Sequence, residues 1–258
     1  MPTNEEYKRL ALQLTKQFER ELDAKNALAL AKQIREYQRL SVSFDNLIQE
    51  LLDKSEGLSA NQIFKLAQYK TFKEEITKQL NTYSNFNQKL NLIVKNDFAT
   101  SALNNSNQLL TLISPNFSRF PKEAISKIIA STSDGTPLAE LFLRRFNEHA
   151  DNATQILIEG LARGQNPNTI AREMRKQLDI SVYDSNRIMR TEAMRVYSDI
   201  TMDNYRNSGI VESVLWLAED SACSECLQRE SDSPYPLDTN ITPPEHPFCK
   251  CCIAPNIG

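Results

Sequence analysis

The sequence predicts a mainly α-helical protein in which a long helical N-terminal part precedes a smaller C-terminal part that mixes helix and strand. Between Pro2 and Pro115 the chain has no proline, and Gly57 is the only glycine before Gly135, so helix breakers are nearly absent there. Apolar residues in this part recur at intervals of three and four, as they do on one face of a helix. The C-terminal part, by contrast, is rich in proline and holds all five cysteines.

Three helices are predicted in the N-terminal half. The first carries an apolar face formed by Tyr7, Leu10, Leu14, Phe18 and Leu22. A second covers about residues 26–53, and Ser59 caps a third that continues beyond residue 100. Eleven of the thirty residues from 79 to 108 are Asn or Gln, which leaves a narrow apolar stripe suited to an antiparallel bundle or a coiled-coil arm. Both a rod that reaches a partner and a self-contained bundle agree with this pattern.

The predicted domain boundary is a polar linker at residues 131–135, which reads Ser-Thr-Ser-Asp-Gly. It follows a short helix that Pro121 opens. We therefore assign residues 1–134 to a helical arm or bundle and residues 135–258 to a second domain. The last part of that domain, about residues 209–258, is predicted to be a separate metal module, for reasons given below.

Residues typical of helix ends and helix starts also occur after the linker. Gly164 is expected to end one helix, and Asn166-Pro167 to begin the next. Ser181 or Asp184 is expected to cap a longer helix that ends near Gly209. His149 stands alone in this region, and we interpret it as a surface or packed histidine rather than a ligand.

A short strand is predicted from Val211 to Leu217, with Val214 and Trp216 on one face. The residues that follow are rich in loops and poor in apolar side chains. Residues 207–258 also carry eight acidic and only two basic side chains. Such a segment has too little apolar surface for an independent core, and a bound metal is a common substitute.

The cysteines have the spacing of a tetrahedral metal site. Cys223-x-x-Cys226 forms one pair of ligands and His246-x-x-Cys249 the other, so the expected ion is a structural Zn²⁺. Cys251 is an alternative ligand to Cys249, and the sixth candidate, Cys252, is predicted to be a spare.

A disulfide, a redox pair and inert thiols are competing interpretations of the same cysteines. The odd number of thiols and the lack of a basic, apolar signal segment at the start favour a reducing compartment. The Cys223/Cys226 pair also does not open a helix after a strand of βαβ type, as a redox pair would. We therefore prefer the metal.

The helix before Gly209 carries several charged residues that suggest two roles. The default interpretation of this helix is a solvated, ion-paired face, on which Arg195 and Asp199, one turn apart, can pair. Alternatively, Arg187, Arg190 and Arg195 could form a small basic face with at most weak contact to DNA. Glu192 is a less favoured metal or catalytic carboxylate. We expect instead that four residues support the metal module structurally: Arg190, Glu192, Trp216 and Asp220.

The motifs of the C-terminal part occur in a characteristic order. They are Gly164-Gln165-Asn166-Pro167, Arg190-Thr191-Glu192, Trp216, Asp220, Cys223-x-x-Cys226, Pro243-Pro244-x-His246-Pro247-x-Cys249-Lys250-Cys251 and Pro255. This order resembles the phage Mu protein F family, the minor head or head morphogenesis proteins of tailed phages. The likeness covers roughly residues 138–257, and Lys250 stands where the family usually has arginine.

The resemblance implies a minor capsid protein that binds the portal of the procapsid. Such proteins enter the virion in few copies and are implicated in procapsid assembly and in DNA packaging and ejection. The implied partners are the portal protein and other head proteins. The implied locations are the interior of the virion or procapsid, or the portal vertex, and the host cytoplasm during assembly.

The net charge and the motifs that are missing argue against several other classes of function. The net charge of −3 and the acidic C-terminal part argue against strong DNA binding, and no apolar run is long enough to span a membrane. No phosphate-binding loop, nucleophile elbow or zinc-protease motif is present, and a metal with four protein ligands leaves no position for water, so we expect no enzyme. Two alternatives remain open: a metal-dependent nuclease that uses His246 with Asp220 and Glu192, and a zinc-containing adaptor for DNA or protein.

Overall fold

The computed structural model describes residues 4–55, 57, 58, 62, 67–130, 132 and 138–256. Its helices are α1 (Asn4–Ser55), α2 (Ala67–Ile113), α3 (Lys122–Ala130), α4 (Leu138–Ala162), α5 (Pro167–Ser208) and α6 (Ser224–Ser231). Its strands are β1 (Ser213–Leu217), β2 (Tyr235–Pro236) and β3 (Cys252–Asn256). The predicted fold class is confirmed: long helices dominate, and a few strands lie in a small C-terminal region. Among the described residues, no helix has both the length and the apolar character that a membrane span requires.

Several helix ends lie where the sequence places them. α2 ends at Ile113, before Ser114-Pro115. Between α4 and α5, Gly164 has a φ of 66°, the left-handed conformation that glycine adopts without strain. The side chain of Asn166 then accepts a hydrogen bond from the backbone N–H of Asn168 at 2.9 Å and so caps α5.

Two expected helix boundaries are wrong. Residues 7–22 and 26–53 belong to one helix, α1, because nothing between them interrupts a helix. α5 passes through Ser181 and Asp184 without a break. Ser181 is fully buried, and its carbonyl accepts a hydrogen bond from the Ser185 hydroxyl at 2.7 Å, so these serines lie inside a helix rather than at its start. The expected cap Ser59 lies outside the described residues.

The chain divides into two compact units, each built from separated segments. Unit 1 comprises Met1–Leu28, Asn91–Thr136 and Arg187–Gly258, and unit 2 comprises Ala29–Leu90 and Pro137–Asn186. These units differ from the predicted domains 1–134 and 135–258, because each unit takes residues from both sides of position 134. The reason is that α1, α2 and α5 each contribute one segment to both units. Most of the predicted linker, apart from Thr132, lies outside the described residues.

Unit 2 is a bundle of four antiparallel helical segments. Gln33 on α1 donates to Asn87 on α2 at 2.6 Å, and Arg175 on α5 pairs with Asp45 on α1 at 2.6 Å. Tyr83 packs its edge against Phe146 on α4, with the ring centroids 5.3 Å apart. Gln33 of α1 contacts Asn87 of α2, whereas Ser43, further along α1, accepts a hydrogen bond from Gln79, earlier on α2. These two helical segments are therefore antiparallel, as in an up-and-down bundle.

His149 is packed inside unit 2. Its Nε2 lies 3.1 Å from Asp184 Oδ2, and its Nδ1 lies 3.4 Å from Gln177. The side chain is buried among α4 and α5. It is therefore a satisfied core histidine, as the sequence suggested.

Unit 1 combines helical segments with a small sheet. Phe18 on α1 stacks on Tyr197 of α5 at 3.7 Å between centroids and meets the edge of Phe98 of α2. The sheet has the order β2-β1-β3 and is antiparallel, with Trp216 of β1 opposite Ile253 of β3. Helices from the N-terminal half therefore form part of the unit that holds the cysteines.

The core under the sheet also comes from distant parts of the chain. Val214 and Trp216 both face inward and are fully buried, as predicted for one face of β1. They pack in one cluster with Leu110 of α2, Met202 of α5 and three cysteines, Cys226, Cys249 and Cys251. The C-terminal region is therefore not a module with its own separate core.

Candidate metal centre

The first cysteine pair does open a short helix that follows β1, contrary to the expectation, but β1 belongs to an antiparallel sheet rather than to a βαβ unit. Cys223 is the N-cap of α6, and Cys226 lies on its first turn and is fully buried. Because the free backbone N–H groups of a helix start point toward its N-cap, they favour a thiolate there. The backbone N–H of Cys226 accordingly lowers the pKa of the Cys223 thiol.

The second pair lies on a tight turn. The backbone N–H of Cys249 donates to the carbonyl of His246 at 3.1 Å, and Phe248 adopts a left-handed φ of 63° between them. His246 Nδ1 lies 2.9 Å from the carbonyl oxygen of Pro247. A carbonyl can only accept, so Nδ1 carries the proton and Nε2 presents its lone pair to a metal.

The donor atoms of the two pairs converge. Cys226 Sγ lies 3.6 Å from His246 Nε2 and 3.7 Å from Cys249 Sγ. In a tetrahedral zinc site with Zn–S of about 2.3 Å and Zn–N of about 2.05 Å, the S–N and S–S edges are about 3.6 and 3.8 Å. The measured separations therefore fit two edges of such a site.

Five side chains make up the cluster. Cys223, Cys226 and His246 form one group and Cys226, Cys249 and Cys251 the other, and within each group all donor atoms lie within 4.8 Å of one another. All five cysteines of the chain, which lie in its described part, are free thiols without disulfides. Together, these Cys and His groups could hold a metal ion.

Burial and mutual hydrogen bonds shift the pKa values of the three buried thiols in different directions. The hydrogen bond with Cys251 lowers the pKa of Cys249 to about 5 and raises the pKa of Cys251. Burial raises the pKa of Cys226 to about 12. Three thiols so close together cannot all ionise without a positive charge between them, and a bound dication supplies that charge by displacing their protons.

Three other residues that the sequence places at or around the metal site are Cys252, Trp216 and Asp220. Cys252 is buried on β3 and belongs to neither donor group. Trp216 is fully buried in the cluster that includes Cys226, Cys249 and Cys251. Asp220 is largely exposed and lies 3.5 Å from Lys16 of α1. Of these, only Trp216 shares a buried cluster with the donor cysteines.

The Arg-Thr-Glu segment of α5 meets the second cysteine turn through two of its residues. The Arg190 guanidinium lies over the Phe248 ring, 6.0 Å from its centre. The hydroxyl of Thr191 accepts a hydrogen bond from the backbone N–H of Phe248 at 3.4 Å. Glu192 instead pairs with Lys95 of α2 at 3.4 Å, so it joins α5 to α2 rather than to the cysteines.

Two of the three arginines of the suggested basic face, Arg190 and Arg195, are bound by carboxylates. Arg195 is 7% exposed, and its guanidinium is bound by Glu192, Asp199 and the carbonyl of Ile128. Arg190 pairs with Asp23 at 2.6 Å. Arg190 and Arg195 therefore neutralise carboxylates of unit 1, and the i,i+4 pairing of Arg195 with Asp199 follows from their spacing.

A cavity of about 690 Å³ opens beside His246. Its lining includes the proline-rich segment 242–247 and one face of α5. The charged groups there are paired with each other or with neighbours. Arg206 binds Asp203 at 2.9 Å, and Glu245 binds Arg229 at 2.8 Å.

Two residues that bind the charged side chains described above were not singled out from the sequence. Asp23 accepts hydrogen bonds from both Arg190 and Lys250. Lys95, on α2, is completely buried beside Glu192. Their partners lie 97 or more positions away along the chain, so no local pattern reveals the contacts.

No protein-family model, curated protein or solved structure matches this chain.

Proposed function

We propose that this chain is a minor head protein of a tailed phage, which binds the portal and takes part in procapsid assembly and in DNA packaging and ejection. The proposal starts from the ordered motifs of the C-terminal part. It is supported by one observation: the Arg190-Thr191 segment and the His246–Cys251 turn, far apart in sequence, touch through Phe248. We expect the motifs that carry the resemblance to form one structural site, and these two segments are in contact.

We propose further that the metal is a structural zinc ion held by Cys223, Cys226, His246 and Cys249, with Cys251 as the alternative ligand. Thiolate and imidazole donors suit zinc, and four protein ligands close the coordination sphere. The ion then holds together a loop-rich segment rather than activating water.

Metal analysis tests the zinc proposal. Protein purified under reducing conditions without chelator should contain about one zinc per chain. Cys226→Ser should lose the metal, because Cys226 belongs to both donor groups, whereas Cys252→Ser should retain it. Zinc-free wild-type protein, or a Cys252→Ser variant that loses the metal as Cys226→Ser does, would contradict this ligand set.

The particle itself provides the most direct test of the function. Mass spectrometry of purified procapsids and virions should find this chain in few copies per particle. The chain should also remain with the portal vertex when the head is disrupted. Absence from both particles would refute the proposal and favour an adaptor that acts inside the cell.

Portal attachment is expected to use the helical bundle of unit 2. Long polar helices with exposed apolar residues can pack their apolar side chains into a groove on a partner. Val42 and Ile180 are exposed apolar residues of unit 2, at 63% and 43%. In a pull-down with the full-length chain, Val42→Glu and Ile180→Glu should weaken portal binding. The matched control is Leu227→Glu on α6 of unit 1, where the side chain is 51% exposed.

A metal-dependent nuclease is the second candidate, because a cavity with carboxylates lies beside His246. Glu192, Asp199 and Asp203 all line it. Incubation of the purified protein with plasmid and Mg²⁺ or Mn²⁺ distinguishes the two functions. The head-protein proposal predicts no cleavage. Cleavage abolished by Asp199→Asn but not by Asp53→Asn, an exposed position on α1, would establish the nuclease.

A further inference from the structure

The carboxylate of Asp23 on α1 joins three distant segments of unit 1. Its Oδ1 accepts a hydrogen bond from Arg190 of α5 at 2.6 Å, and its Oδ2 accepts one from Lys250 at 3.1 Å. The side chains of Asp23 and Lys250 are 46% and 32% exposed, so each ion pair alone contributes little to global stability. These ion pairs matter because of the residues whose positions they fix.

Lys250 stands between two of the candidate metal ligands. Cys249 and Cys251 are both buried, while the lysine between them reaches outward to Asp23. Phe248, on the other side of Cys249, lies under Arg190 and donates its backbone N–H to Thr191. The backbone of the second cysteine turn is thus held before and after Cys249 by groups that converge on Asp23 and α5.

We propose that Asp23 is a positioning residue of the metal centre. It fixes Lys250 and Arg190, and through them the orientation of the turn that presents His246 and Cys249. The inference rests on the proposed metal site. Outer partners that orient metal ligands commonly change metal affinity roughly 10- to 100-fold when they are removed. By linkage, the bound metal in turn stabilises the docking of the first part of α1.

Zinc affinity in competition with a chromophoric chelator tests this inference on the full-length protein. Asp23→Asn and Lys250→Met should each bind Zn²⁺ roughly tenfold or more weakly. Lys250→Arg keeps a positive charge opposite Asp23 and should bind within about twofold of wild type. The matched control is Glu21→Gln, which changes an exposed carboxylate two residues away on the same helix that accepts a hydrogen bond from Gln17.

A second measurement separates positioning from general stability. The absorption spectrum of the Co²⁺-substituted protein reports the geometry of the ligands, and a change that only lowers thermal stability leaves it unaltered. We expect altered d–d bands in Asp23→Asn and in Lys250→Met, and an unaltered spectrum in Glu21→Gln. Lys250→Met keeps the test decisive if Asp23→Asn fails to fold.

Different results would refute the metal site and the positioning role of Asp23. If wild-type protein binds neither Zn²⁺ nor Co²⁺, there is no metal centre and Asp23 has nothing to position. If wild type binds zinc and both variants bind it with unchanged affinity and spectrum, the centre stands and the role of Asp23 is refuted.

Discussion

At the scale of single residues, the most unusual feature is a completely buried lysine. Lys95 on α2 lies 3.4 Å from Glu192, whose other partner is Arg195 at 3.1 Å. Arg195 also binds Asp199 at 2.6 Å, so two cations and two anions balance inside unit 1. Burial nevertheless lowers the pKa of Lys95 to about 8, and the attraction of Glu192 offsets only part of this effect.

Lys95 predicts a specific pH dependence of stability. Below about pH 8 the amine is protonated in both the folded and the unfolded chain, so it adds no pH dependence there. Between about 8 and 10.5 the unfolded chain keeps a proton that the folded chain has lost. The contribution of Lys95 to the free energy of unfolding therefore rises with pH in this window, by at most roughly 1.4 kcal/mol per unit.

Denaturant unfolding of wild type and Lys95→Met between about pH 7 and 9.5 measures this contribution as a difference. The stability of wild type relative to the variant should increase from about pH 8 upward. Lys89→Met, which removes an exposed lysine from the same helix, should follow wild type throughout. Parallel curves for wild type and Lys95→Met would contradict the prediction.

The candidate ligands could be predicted from sequence because their signal is local. Two residues between Cys223 and Cys226, and between His246 and Cys249, are enough to form a turn that presents both side chains to one ion. The distant partners of the charged residues could not be predicted. Spacing alone predicts that Arg195 pairs with Asp199, but not that Arg195 is buried, because the carbonyl of Ile128 that also binds it comes from another helix.

At the scale of elements, close helix approach depends on one glycine. A Cβ added to Gly160 of α4 would lie 2.6 Å from Ile170 Cγ1 on α5, and Ile170 is fully buried. The short connection that Gly164 and Asn166 form between these helices brings them together at this point. Sequence periodicity predicted both helices, but not how closely they approach.

Gly160→Ala is expected to destabilise unit 2. Alanine improves helix propensity by about 1 kcal/mol, but overpacking against Ile170 costs roughly 1–3 kcal/mol, so the net effect is unfavourable. Thermal unfolding of the single and double variants with Ile170→Ala should show coupling, because the smaller side chain removes the clash. Asn152→Ala, at an exposed position of α4, should be neutral or stabilising. Additive effects of the two core changes would refute the proposed contact.

At the scale of the whole molecule, the main departure from the sequence-based prediction is the division of the chain. Composition located a polar linker near residue 134, but compact units are defined by contacts, and three long helices carry the chain from one unit to the other. The packing of Phe18 on Tyr197, 179 positions apart, is one contact that no linker signal could reveal. Which residues are helical can be predicted from local propensity. Which distant helices pack together depends on how the apolar faces of all the helices are buried against one another.

Folding of the C-terminal region should therefore require the first part of α1. Tyr7 and Ala11 are buried against Leu109 and Ala254 of β3, and the Tyr7 hydroxyl donates to the carbonyl of Leu109 at 3.3 Å. Without residues 1–28, one side of the β3 strand and the aromatic cluster around Phe18 would be exposed to water. A chain that starts at Ala29 should consequently lose cooperative unfolding of unit 1, and residues 135–258 alone should not fold.

Fragment complementation tests this dependence without relying on a failure to fold. A synthetic peptide of residues 1–28 should bind the chain of residues 29–258 and restore near-UV circular dichroism and zinc content. The peptide with Phe18→Ala should bind much more weakly, because loss of a buried phenylalanine costs roughly 3–5 kcal/mol. The peptide with Arg20→Ala, an exposed position on the same helix, should bind like the original. A chain of residues 29–258 that folds and binds zinc without any peptide would show that the C-terminal region is independent, as the division at residue 134 first suggested.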